Sequence, residues 1–467
     1  MSKYPDNGKV TAIYTDHVRA LYRDNPLIEA LPDCPSEMNM RDALMLSIPY
    51  DASERELPAA ERRSCVSSLC HLFIPMGVHG EIVEKMFSAV REGYVSRNPL
   101  ANGWNRGLSE IQSCVVNKDA DFRRYTNSNA NAAGFMVVGE SGMGKTSAVN
   151  RALNLMPQII CHSEYHGIAF PFVQIVWMRL ECPQDASVKG LCSEFFQVFD
   201  ALTGDNTFAK NAVGGRATVD QMIPQMALVA QRHGLGLLVI DEIQNLNAAK
   251  SGGMQKMLNF LVQLTNKIGL PILLVGTPPA IQLLSADLMT SRRSAGQQGL
   301  TYLKPLEKDS LDWEIFFRGI WRYQWTAEKT KRTQELQDKL CSLSRGNIDM
   351  AMKLFMEAQR IAIDRGRNGY SETITPEILD KAASQDAFKI VLNRLMLDRG
   401  ESIQIQKKKA KNNAIEEAKG PAAVAMSAEK SPCDKADKAS SIQLLKGKAF
   451  VSHMAVNGQL VSPMDDF

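Results

Sequence analysis

GFMVVGESGMGKTSAVNRAL, residues 134–153, decides how this chain is read. Phe135-Met136-Val137-Val138 predicts a buried strand, and Ala148, Val149, Ala152 and Leu153 predict a helix. Between them Gly139-Glu140-Ser141-Gly142-Met143-Gly144-Lys145-Thr146 spells G-x-x-x-x-G-K-[ST], in the strand-then-helix setting that gives the pattern meaning. Glycines let the main chain curl closely around an anion, so that backbone N–H groups form a cup for triphosphate oxygens. The helix that follows turns its positive end toward the same place. Lys145 is expected to reach the β- and γ-phosphates and the Thr146 hydroxyl to ligate magnesium. The cofactors expected are therefore ATP and Mg2+.

Working outward, three more apolar runs predict strands: Phe172–Met178, Leu235–Ile240 and Pro271–Val275. Each is short, nearly continuous and rich in β-branched residues, as parallel strands covered on both faces are. With helical stretches between them, the expected fold class is α/β, a P-loop NTPase core with a parallel sheet. The second run ends in Asp241-Glu242, an acidic pair where α/β sheets bind ligands. Asp241 is expected to hold the magnesium through water, and Glu242 to orient and polarise the attacking water. The third run ends in Gly276-Thr277-Pro278-Pro279, whose Thr277 hydroxyl can bond the water or the γ-phosphate. Further on, in Ser291-Arg292-Arg293-Ser294, either Arg292 or Arg293 is expected to reach a neighbouring subunit's γ-phosphate, its planar fork suiting the spread charge.

The 467 residues suffice for roughly three domains. A net charge of +3 does not announce a nucleic-acid binder, so any DNA contact must be local. Nine cysteines without paired spacing, and no charged apolar leader, predict a reducing cytoplasm with free thiols; no apolar run is long enough to span a bilayer. Cys65, Cys70, His71 and His79 are too closely spaced for a zinc finger and are expected to be ordinary helix and core residues. Residues 1–105 predict a helical accessory or partner-docking region, with Asn-Pro-Leu turns at 25–27 and 98–100. The nucleotide core is expected over 106–306 and a helical lid over 307–397, where Trp313, Phe317, Ile320, Trp321 and Trp325 recur at helical spacing. Residues 398–467 predict a flexible basic tail, ending in a candidate β-hairpin about Asn457-Gly458 that could add to another protein's sheet.

In this order the motifs resemble an AAA+ ATPase. More narrowly, residues 1–400 resemble the TnsC/TniB family of transposition regulators, relatives of the phage Mu transposition protein B. That resemblance rests on Asn25-Pro26-Leu27-Ile28-Glu29-Ala30-Leu31-Pro32, on Glu181-Cys182-Pro183 with Ser187-Val188-Lys189-Gly190-Leu191, on Ile240-Asp241-Glu242-Ile243-Gln244, and on Val275-Gly276-Thr277-Pro278. It implies a cytoplasmic bacterial ATPase that forms a ring or filament of identical subunits on double-stranded DNA, connects a target-selector protein to transposase subunits, and changes state on hydrolysis. It also implies DNA contacts near Lys189, with Arg216 a second candidate, and salt-sensitive phosphate binding. Where many such lids carry a nucleotide-sensing arginine, this chain has Asp349, so lid sensing by that residue is not expected. Two other readings share the core: a replication-initiator or helicase-loader ATPase, and a signalling NTPase switch that works without DNA.

Overall fold

The computed structural model describes residues 3–4, 8–117, 134–185, 187–204, 217–248, 261, 265, 269–280, 299–393 and 395. Its strands are β1 (Lys9–Thr11), β2 (Phe135–Gly139), β3 (Ile159–Tyr165), β4 (Ile168–Ile175), β5 (Trp177–Glu181), β6 (Leu237–Asp241), β7 (Ile272–Gly276) and β8 (Leu300–Leu303). Five of them form one sheet in the order β5-β6-β7-β2-β8, and every pairing in it is parallel. The expected α/β architecture with a parallel sheet is what the chain adopts.

Burial on both faces explains the continuous apolar strands. Along β2 the side chains alternate, as a pleated strand requires. Met136 and Val138 face a core with the helices Val188–Thr203 and Val219–Arg232, while Phe135 and Val137 face a second core with the helices Gly77–Val95 and Lys145–Leu153. The first helix of that second layer comes from the opening hundred residues. That region also supplies a strand where only helices are expected, since β1 pairs in parallel with β3. Its two Asn-Pro-Leu turns meet: Asn98 Nδ2 donates to the Asp24 carbonyl at 2.8 Å, and Asn25 Nδ2 to that of Tyr94 at 2.9 Å.

The run Phe172–Met178 is not one strand of the parallel sheet, as its pattern suggests. It breaks at Val176, where β4 ends in an antiparallel pair with β3 and β5 begins beside β6. An unbroken apolar run satisfies both sheets, so periodicity alone does not reveal the bend. Strand β8, beside the phosphate-loop strand, also lies beyond the runs singled out in the sequence.

A third apolar core is helical. It gathers Trp313, Phe317, Ile320, Trp325, Leu354 and Phe355 from the helices Leu311–Ile320 and Ile348–Gly366 and the chain between them. Ile48, Val66, Leu69 and Ile74 of the first hundred residues join the same cluster. Arg62 secures this contact: its guanidinium makes two bonds to the Glu372 carboxylate and donates to the Trp325 carbonyl at 3.1 Å. Planar fork-to-carboxylate pairing is the arrangement in which a buried charge is well compensated.

Candidate nucleotide site

Gly139, Asp241 and Gly276 end three parallel strands at one edge of the sheet. Because β7 lies between β6 and β2, Thr277 stands between the acidic pair and the phosphate loop. The loop takes the conformation its glycines permit, with Gly142 at φ +80° and Gly144 at φ +74°. At Gly142 a Cβ would also lie 2.7 Å from Asn347 Oδ1, so both backbone and space call for glycine. The helix Lys145–Leu153 starts directly from Gly144.

Lys145 Nζ donates to the Glu140 carbonyl at 2.9 Å, folding back over its own loop. Burial pushes its pKa down while the Glu242, Asp241 and Glu140 charges oppose that shift, a partly dehydrated cation at the head of the loop. Thr146 Oγ1 donates to Asp241 Oδ2 at 2.9 Å. One hydroxyl and one buried carboxylate, brought together at the start of a helix, form the donor set that a hexacoordinate, mostly water- and phosphate-bound magnesium uses, so these residues fit the ion.

Glu242 is exposed and adopts φ 55°, a left-handed conformation uncommon for a non-glycine residue. Its N–H donates to Asp241 Oδ1 at 2.8 Å, and its carboxylate accepts from Gln244 Nε2. Gln244 Oε1 in turn accepts from the Thr277 N–H at 3.1 Å. Gln244 thus ties the acidic strand end to the Thr277 strand end, a role the residue's place in a family-like motif did not disclose.

Arg179 was also overlooked. Projecting from β5, its Nη2 lies 2.9 Å from Asp241 Oδ2 and 3.5 Å from Glu181 Oε1. Asp241 therefore accepts from a hydroxyl, a backbone N–H and a guanidinium, which explains how a carboxylate only 2% exposed is tolerated.

From the phosphate loop extends a cavity of about 440 Å³. One end is polar, lined by Ser141 to Ser147 and Glu242; the other is apolar, with Leu72, Phe73, Ile74, Met76, Phe316 and Met352 among its walls. The apolar end is built from the first hundred residues and from the helical region. Asp349, where a sensing arginine is absent, lines the cavity and pairs with Lys353 at 2.6 Å; its N–H donates to the Gly142 carbonyl at 3.0 Å. Asn347 caps the same helix, accepting from the Met350 N–H at 3.1 Å, and donates to the Ser141 carbonyl at 2.8 Å. The helix Ile348–Gly366 is therefore fastened to the phosphate loop by two bonds.

Residues 129–284 match a family model described as an AAA domain. The chain carries an AAA-type P-loop ATPase domain. Similar solved structures include a Walker-type ATPase of Pyrococcus abyssi, at 16% identity over 62% of this chain and 76% of the other, with a TM-score of 0.38. Another is the ADP form of the Aeropyrum pernix ORC2 protein, at 12% identity over 61% and 68%, TM-score 0.36. A third is the Drosophila ORC bound to DNA, at 12% identity over 64% and 65%, TM-score 0.33. No curated protein matches the chain.

Of the other residues singled out, Lys189 is exposed in the first turn of the helix Val188–Thr203. Arg216, Arg292, Arg293 and the hairpin about Asn457-Gly458 lie outside the described residues. Among the described residues no group of three or more His, Cys, Asp and Glu side chains is placed to hold a metal ion, the quartet Cys65, Cys70, His71 and His79 included. Nor, among them, is any helix long and apolar enough to cross a membrane.

Proposed function

We propose that the protein is an ATP-dependent regulator of DNA transposition. It assembles on duplex DNA as a ring or filament, connects a target-selector protein to the transposase, and comes apart when ATP is hydrolysed. The observation that carries the ATP-driven part is the continuous network from Thr146 through Asp241, Glu242 and Gln244 to Thr277 at the mouth of the phosphate loop. The transposition part is supported by the TnsC/TniB-like segments in the sequence.

In this reading the loop amides and Lys145 hold the triphosphate, and Thr146 and Asp241 hold its magnesium, which draws charge from the phosphates. Glu242 orients the attacking water, with its carboxylate kept in place by Gln244, and Thr277 stands beside the same water. Arg292 or Arg293 of a neighbouring subunit completes the site, which makes nucleotide binding and subunit assembly one event. Lys189 and Arg216, repeated around the oligomer, contact DNA phosphates.

Electron microscopy with a non-hydrolysable ATP analogue, with and without duplex DNA, tests the reading. Rings or filaments that need both ligands are expected. Lys145→Ala should abolish them, and Glu242→Gln should leave long-lived DNA complexes with slow hydrolysis. Nucleotide-dependent oligomers indifferent to DNA and salt would replace this function with a signalling switch, and full assembly by Lys145→Ala would remove the site assignment.

A further inference from the structure

The apolar end of the cavity contains one buried polar group with nothing to bond. His79, in the first turn of the helix Gly77–Val95, is 2% exposed, lines the cavity, and packs its ring 5.0 Å from that of Phe73. Its Nδ1 accepts the Met76 backbone N–H at 3.0 Å, so in the neutral ring the proton resides on Nε2. Burial pushes the His79 pKa down to about 4, which keeps the ring neutral at physiological pH. Nε2 has no hydrogen-bond partner, and among the described residues lining the cavity no other side chain has a buried nitrogen or oxygen left unpaired. A fixed N–H donor, enclosed by Phe73, Ile74 and Met76, is costly unless something that enters the cavity accepts from it.

We propose that His79 is the residue by which the site recognises the nucleotide base: its Nε2–H donates to a ring nitrogen of the purine. The inference rests on the nucleotide reading above and adds specificity to it. The polar end of the cavity handles phosphates, which all nucleoside triphosphates share. The apolar end accepts the flat base, and only a directed polar group there can distinguish one base edge from another. The position of His79 on a helix that also packs against the main sheet holds the donor rigidly, so that a base lacking the acceptor leaves the N–H stranded.

The test measures equilibrium binding of ATP and of its 1-deaza, 3-deaza and 7-deaza analogues, each of which replaces one ring nitrogen by C–H. One of the three analogues is expected to bind the wild-type protein about fivefold or more weakly than ATP, the loss of a single neutral hydrogen bond. His79→Phe should bind all four ligands alike, and should unfold at a temperature no lower than the loss of the Met76 contact requires. His79→Gln, whose amide nitrogen extends as far as Nε2, should restore part of the discrimination. Equal binding of all three analogues and ATP by the wild-type protein overturns the proposal, since it would mean that Nε2 bonds a trapped water instead; no variant is needed for that outcome. If Lys145→Ala binds ATP as well as wild type, the nucleotide reading itself fails. Lys145-dependent binding that ignores the ring nitrogens removes only the role of His79.

Discussion

Replacing Arg179 by Met isolates the charge balance around Asp241. The carboxylate is 2% exposed and the Arg179 side chain 26% exposed, with 2.9 Å between them. Breaking a fully buried pair by removing one partner costs about 3–5 kcal/mol, because the other charge is left uncompensated. Here the cost is smaller: the guanidinium is partly solvated, and the Thr146 hydroxyl and Glu242 N–H still donate to Asp241. A loss of about 2 kcal/mol is expected, which for a domain of this size lowers the melting temperature by roughly 4–8 °C. Met has nearly the reach of the arginine stem, so packing changes little. If Asp241 is a magnesium-binding group, Mg·ADP should then stabilise Arg179→Met more than it stabilises the wild type, because the cation supplies the compensation the arginine no longer gives. Thermal melts with and without Mg·ADP, at constant ionic strength, measure both effects. An unchanged melting temperature without ligand would show that solvent already screens the pair. A fall of equal size with and without Mg·ADP would refute the link between Arg179 and the metal-binding position.

Two further perturbations address the fastening of the helical region and the buried histidines. Asn347→Ala removes both the helix cap and the bond to Ser141, and should cost about 1–2 kcal/mol in stability; Asn347→Asp keeps the cap but loses the donor and brings a negative charge to the loop, so it should melt near wild type yet bind ADP several-fold more weakly, and wild-type affinity would show that the bond to Ser141 is idle. His79 and His162 both have pKa values pushed down to about 4 by burial, from an unfolded value of 6.5. A depressed histidine pKa means that the unfolded chain takes up the proton first, so stability is full above about pH 6.5 and falls as pH drops toward 4. Between pH 7.5 and 5 each should remove about 2 kcal/mol, and urea titrations should show a shallower pH dependence for His162→Gln than for wild type; identical slopes would disprove the assignment.

The reactive end of the site was legible because its chemistry is contiguous. Eight consecutive residues determine the phosphate loop, and an acidic pair at the end of an apolar run marks the second strand, whatever the rest of the chain does. Arg179 was not legible: a single arginine among Trp177, Met178 and Leu180 reads as an interruption of a strand, and its value depends on β5 lying beside β6. Gln244 was hidden for a similar reason, since its two bonds join strand ends 33 residues apart. The split of the Phe172–Met178 run shows the limit of periodicity, because a chain passing from one sheet to another can stay apolar throughout.

The apolar end of the cavity was the least legible part, and it changes how the first hundred residues are understood. Leu72-Phe73-Ile74-Pro75-Met76 is an apolar run beside a proline, which by itself suggests only a connection between helices. Folded, it faces Phe316 and Met352 across the cavity that begins at the phosphate loop. The same segment's neighbours pack in both directions, Ile82 and Met86 with the main sheet and Leu69 and Ile74 with the helical core. A region that walls the nucleotide cavity and belongs to both cores cannot shift independently of either. Any partner that pulls on these residues therefore acts on the nucleotide cavity directly, and any ligand that fills the cavity bears on the surface those residues present.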